Sequence, residues 1–379
     1  MKKQDVAGLI VYVIILALAA VFGLVVIREY SPKSGLSTGL FILFVSGAIV
    51  SGVLFNAILF ELAHIIGAKI GGYNITSLSI LGFTFEKVDG KTKFRFASYD
   101  GLTGETKIVP NLKRKKPANP IPYLIFGTLF YAIEVVIVVV SYSILTRDDL
   151  PTSYNNLGYF LLIIMAVGGM ILFYNIIPLR LDSLTDGYRL RLVSGKKNKE
   201  AFNAMLLGEN GVQQVETEEH KESSFSSDLK LNDLYKFLDE DKLPEAEAAA
   251  DEIISDYENG KKISNKTIVE AQANKIYLQF ANNELDEAIK YCETTYNLHD
   301  KKELSEENNL ACLRAYILLS AFVDRSRFEC IRSLDKTFKV YKHTSEDKKA
   351  LETKLFNKAI DMINEKHPDW GINEYRINA

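Results

Sequence analysis

Within NAILFELAHIIGAK, residues 56–69, a long apolar run carries one carboxylate and one imidazole, Glu61 and His64. On a helix, the pattern H-E-x-x-H sets two imidazoles one turn apart on one face, where both bind a single zinc. The glutamate beside the first then activates a zinc-bound water as general base. Glu61 and His64 fill the last four positions of that pattern, and Phe60 stands where the first histidine would be. In a membrane span, such groups cost several kcal/mol unless they are paired or face a polar cavity.

A second group of chemistry-bearing residues lies in YNIIPLRLDSLTDGYRL. Asn175 and Pro178 break a helix at the end of an apolar run, and Asp186-Gly187 follows the proline by eight residues. If both segments end on one side of a membrane, His64 and Asp186 meet at similar depth. A third site is Glu134 in FYAIEVVIVVV. An intramembrane carboxylate is a functional hypothesis by default, as a proton carrier or a substrate contact; the plainer reading is a protonated Glu134 hydrogen-bonded between helices.

The elements that must position these residues are four apolar runs, residues 6–27, 38–60 (polar-poor to 68), 121–145 and 158–178. Each approaches or exceeds the ~20 residues that a helix needs to cross the hydrocarbon core. The first run is longer than the apolar core of a cleaved signal peptide, so a retained span is expected. Residues 1–200 hold 21 Lys+Arg against 13 Asp+Glu, and residues 201–379 hold 24 against 35. A basic membrane part and an acidic soluble part follow. LKRKKP in the 69–119 loop and RLRLVSGKKNK after the fourth run are basic, whereas TRDDLPTSYNN is not. By the positive-inside rule the N-terminus, the strand region and the C-terminal domain are cytoplasmic, with Arg28 and Lys33 a mild contrary signal. A transporter would need polar residues spread over several spans, and apart from Glu134 they are missing. Cys292, Cys312 and Cys330 lack C-x-x-C spacing and read as free thiols.

Between the second and third runs, GFTFEKVDGKTKFRFASYDG alternates aromatic and polar residues around Asp89-Gly90. This predicts a hairpin with Phe83, Phe85, Phe94 and Phe96 on one face. Residues 201–228 are polar and read as a linker. Helical patterns follow to near 366, and YKFLDEDKLPEA recurs 42 residues later as YLQFANNELDEA, aligning Tyr235 with Tyr277, Leu243 with Leu285 and Ala246 with Ala288. This resembles tetratricopeptide repeats over about 230–340, with a third copy around AFVDRSRFECI; an irregular helical bundle is the alternative. Either offers a surface for a protein partner.

The chain resembles the site-2 protease family of intramembrane zinc metalloproteases across roughly residues 38–192. The resemblance rests on FELAH followed by Gly67, Ala68, Lys69, Gly72 and Tyr73, on Asn175 and Pro178, on Asp186 and Gly187, and on motifs in the second and fourth runs with strands between. It implies zinc as cofactor, His64 and Asp186 as ligands, Glu61 as general base, Asn175 as a polar group near substrate, and a hairpin that holds an extended substrate by strand addition. Its implied substrates are single-span membrane proteins or peptides. The sequence departs from the family at Phe60, which cannot ligate zinc, and His220, His299, His343 and His367 lie far from the runs. Three readings stay open: an inactive homologue acting as a membrane-anchored scaffold, a metal kept through Glu61, His64 and Asp186, and retained proteolysis.

The expectation is therefore a mainly α, multi-pass protein of the cell membrane. It has a first transmembrane helix and flanks (1–37), a protease-like core (38–192; spans 38–68, 121–145 and 158–178; strand region 73–110), a linker (193–228) and a cytosolic helical domain (229–379). The expected partners are the bilayer, a membrane-bound peptide or single-span substrate and a cytosolic protein docking on 229–366, with no nucleic acid.

Overall fold

The computed structural model describes residues 3–88, 91–96, 102–178, 185–210, 212, 220, 222–261, 263–344 and 346–377. The chain divides into two compact units, Met1–Lys199 and Glu200–Ala379.

In the first unit, α1 (Lys3–Tyr30), α2 (Thr38–Gly71), α3 (Pro120–Leu145) and α4 (Thr152–Ile176) are each long and apolar enough to cross a membrane. Leu16, Leu43, Leu129 and Leu157 on these helices are largely exposed. Such surfaces suit hydrocarbon, where helices meet their own backbone hydrogen bonds internally. The fourth helix differs from its expected limits of 158–178. It starts at Thr152, after Pro151, and stops at Ile176. Pro178 has no N–H to extend the ladder and restricts Ile177 before it, which is extended at ψ 123°. Tyr30 fastens α1 to α4 by stacking on Tyr159 at 4.1 Å and by its hydroxyl, which donates to Asn156 at 2.7 Å.

Helix α2 ends at Gly72, whose φ of +93° is the left-handed conformation that favours glycine. The chain passes at once into an antiparallel sheet of β1 (Tyr73–Ile80), β2 (Phe83–Val88), β3 (Lys91–Phe96) and β4 (Gly104–Pro110), in the order β3-β2-β1-β4. The backbone N–H of Asn111 donates to the Gly72 carbonyl and that of Asn119 to the Gly71 carbonyl, at 3.1 and 2.8 Å. The end of β4 and the start of α3 are thus both tied to the last turn of α2. The expected hairpin is present as β2 and β3, while its Asp89-Gly90 turn lies outside the described residues. Phe83 pairs with Phe96 and Phe85 with Phe94, so all four rings share one face, each 44–56% exposed. On the opposite face Arg95 meets Glu86 at 3.0 Å.

The segment 193–228, expected as a linker, carries a helix. After α5 (Asp186–Leu192), α6 spans Lys196–Glu209 and buries Ala201, Phe202, Ala204, Leu206 and Leu207. An apolar stripe within KNKEAFNAMLLG, behind a charged first turn, drives this.

The second unit stacks helices around one core: α7 (Ser226–Asp239), α8 (Leu243–Glu258), α9 (Asn265–Asn282), α10 (Leu285–Thr295), α11 (Leu298–Glu306), α12 (Leu310–Leu318), α13 (Arg327–Lys342) and α14 (Glu346–Lys366). Of the aligned pairs, the tyrosines differ, Tyr277 fully buried and Tyr235 only partly. Leu243 and Leu285 open α8 and α10, and Ala246 and Ala288 are both fully buried. Arg314 lies at the centre, donating from Nη1 to Glu352 at 2.6 Å and from Nη2 to Asn274 at 2.7 Å.

Candidate functional site

Phe60, Glu61 and His64 lie on the C-terminal half of α2, and all three are buried. Close approach of α3 makes this so. A Cβ on Gly67 would overlap the Pro122 carbonyl, and one on Gly127 would sit 3.1 Å from the Phe60 ring. At this separation His64 Nδ1 is 2.9 Å from the Tyr123 carbonyl oxygen. A carbonyl only accepts, so Nδ1 carries the proton and Nε2 is left to face the site.

His64 Nε2 faces Asp186, 3.3 Å from Oδ2. Asp186 reaches this place because the first turn of α5 presses on the end of α4. Thr185 caps α5 by accepting from the Tyr188 N–H at 3.2 Å, and its hydroxyl donates to the Ile177 carbonyl at 2.6 Å. A Cβ on Gly187 would overlap the Ile176 carbonyl, so glycine is required in the Asp-Gly pair.

Glu61 turns toward the sheet. The Thr106 hydroxyl donates to its Oε2 at 2.5 Å, and a Cβ on Gly104 would come within 2.8 Å of its Oε1. Tyr123 closes the corner by donating its hydroxyl to the Thr106 carbonyl at 2.9 Å. Beside it, burial pushes the Tyr73 phenol above its ordinary value. Phe60, Asn175, Asp186 and Gly187 line a cavity of ≈ 150 Å³ with Leu124 and Leu172. Phe60 also stacks on Tyr131, ring centroids 6.5 Å apart.

The residues singled out by sequence thus divide clearly. Glu61, His64, Asp186, Asn175 and Gly187 come together. Pro178 is exposed beyond the end of α4, and Glu134 lies with Asn56 rather than at this site. Thr106, Tyr123, Gly104 and Gly127 were not anticipated, because a threonine in a short strand and a glycine in an apolar helix carry no distinctive local pattern.

A zinc ion is what the resemblance implies, and the donors can be tested against it. His64 Nε2 and Asp186 Oδ2 converge, as two ligands of one ion would. The third position belongs to Phe60, which has no lone pair and fills its space against Gly127 and Tyr131. Glu61 is engaged by Thr106. Among the described residues, no group of three His, Cys, Asp or Glu side chains converges as a metal site. These donors do not fit a catalytic zinc, which takes three protein ligands plus water.

Comparison with protein-family models, with curated proteins and with solved structures gives no match.

Proposed function

We propose that the membrane unit binds apolar segments of membrane-bound peptides or single-span proteins. In this reading the chain is a site-2-protease-like protein with an incomplete zinc centre, which holds such segments rather than hydrolysing them. One observation carries it. Two cross-strand rows run over a single face of the sheet, Phe96-Phe83-Ile80-Gly104 and Phe94-Phe85-Leu78-Thr106. Both begin at exposed phenylalanines and end at residues touching Glu61. An apolar ramp that ends at a buried carboxylate and an imidazole is suited to receive a hydrophobic chain. The helical second unit would recruit a cytosolic protein through its stacked, tetratricopeptide-like helices, and the whole would sit in the cell membrane.

The test pairs crosslinking with cleavage. With a photo-crosslinking residue at position 85 or 94, a model single-span peptide should be captured by the full chain without being cut. Cleavage by the unaltered chain, abolished by Glu61→Gln, would overturn the non-catalytic part. That rival, retained proteolysis, is favoured by one feature. The Tyr123 carbonyl fixes the His64 tautomer whose Nε2 is free for a metal.

A further inference from the structure

A second buried polar group lies deeper along the same helices, and neither zinc chemistry nor substrate binding uses it. Asn56 on α2 is fully buried, and its Nδ2 donates to the carbonyls of Gly52 and Ile164, each at 3.0 Å. Both amide protons are thereby spent, while Oδ1 has no partner. Glu134 on α3 is 6% exposed, and neither carboxyl oxygen has a partner, although the Asn56 amide lies beside it. Space is tight from α4 as well, where a Cβ on Gly168 would overlap Asn56 Oδ1. The other titratable group acting on Glu134 is Tyr131 on its own helix, whose hydroxyl donates to the Met165 carbonyl at 3.0 Å. Among the described residues no Lys, Arg or His pairs with Glu134.

Three buried acceptor oxygens, Asn56 Oδ1 and both of Glu134, thus lie on neighbouring side chains without a hydrogen-bond partner. An ionised Glu134 would hold an uncompensated charge within a hydrocarbon-embedded helix bundle and leave the Asn56 oxygen unsatisfied, a costly arrangement. One proton removes the conflict, because a neutral carboxylic acid has an O–H to donate to Asn56 Oδ1. A metal cation fits less well. It needs about five or six oxygens, and the nearby Gly52 and Ile164 carbonyls already accept from Asn56.

We propose that Glu134 and Asn56 form a proton-binding site, a carboxylic acid donating to an amide oxygen, that clamps α2 to α3 and, through Ile164, to α4. Its place gives it a consequence. Asn56, Phe60 and His64 follow one another at four-residue steps along one face of α2, and Tyr131 lies one turn from Glu134 on α3. The clamp is therefore the layer next to the Phe60–Tyr131 stack. Loss of the proton would part α2 and α3 beside the cavity that Phe60 lines.

Infrared difference spectroscopy on the purified full chain tests this, wild type minus Glu134→Gln at neutral pH. The expected result is a carboxylic-acid carbonyl band that the variant loses and that Asn56→Ala shifts to higher frequency. Carboxylate bands in its place would overturn the proposal. So would an acid band unmoved by Asn56→Ala, or one removed by adding sodium chloride, which would mark an alkali-cation site. Should Asn56→Ala fail to fold, thermal melting decides. Glu134→Gln keeps a donor for Asn56 and should melt with the wild type, whereas Glu134→Leu should melt lower by several degrees. Equal losses in the two variants would show that donation plays no part.

Discussion

His64 Nε2 stands 3.3 Å from Asp186 Oδ2, and four residues before His64 the α2 face presents Phe60 instead of a second imidazole. Two donors on one point make a poor zinc site, and a third on the same face would complete it. The unaltered chain is therefore expected to purify with clearly less than one zinc per chain, and Phe60→His to raise the content toward one. Elemental analysis of both proteins after identical dialysis measures this. Stoichiometric zinc in the unaltered chain would show that His64 and Asp186 hold the ion without a third imidazole.

Gly187 holds Asp186 in reach, because any side chain there meets the Ile176 carbonyl. In the Phe60→His background, Gly187→Ala should therefore cost zinc affinity, by about 10–100-fold if the displacement acts as loss of an orienting contact does. Competition with a chromophoric chelator reads the affinity. Equal affinity with and without Gly187→Ala would mean that α5 adjusts freely and does not place the aspartate.

The long apolar helices and the hairpin were legible because each rests on a one-dimensional pattern. An apolar run of sufficient length must be satisfied as a helix in lipid, and aromatic alternation fixes which residues share a face. His64 and Asp186 were legible as a pair through their shared depth and the resemblance, and their convergence depends on contacts distant in sequence. The Thr106 bond to Glu61 joins residues 45 apart, and the Gly127 opening against Phe60 joins two helices. No local spacing encodes either. Helix α6 was hidden for the opposite reason: its charged N-terminal turn masked the apolar stripe that buries Phe202 and Leu206. Glu134 was visible as an anomaly, but the nearby Asn56 was not, since a single asparagine in an apolar run carries no pattern of its own.

In the helical unit, the fully buried Arg314 depends on Glu352 and Asn274 and lies over the Tyr277 ring at 4.9 Å. Removing one partner of a buried ion pair leaves a charge without compensation. Glu352→Ala should destabilise this unit by about 3–5 kcal/mol, read as a lower urea midpoint with little change in slope. Replacing Lys242, whose partner Glu240 is also on the exposed surface, is the control and should leave the urea midpoint nearly unchanged. Similar losses in the two variants would contradict a structural role for the Arg314 pair.

Cys292 and Cys330 are free and fully buried, and burial pushes each thiol up to about 12, with Cys312 also raised well above the ordinary value. A thiolate is the reactive form, so all three should resist iodoacetamide at pH 8 in the native chain and react promptly once it is unfolded. The same shifts fix the sign of a pH effect. Unfolded thiols ionise near 9.0 while Cys292 and Cys330 hold their protons to about 12, so between those values the folded state binds more protons than the unfolded state. The stability they contribute is complete below the unfolded value and is lost as pH rises through this window. The urea midpoint of the second unit should thus fall from pH 8 to pH 10.5, and fall less steeply in a Cys292→Ala, Cys330→Ala double variant. A midpoint whose pH slope is the same in both proteins would assign the alkaline loss to other groups.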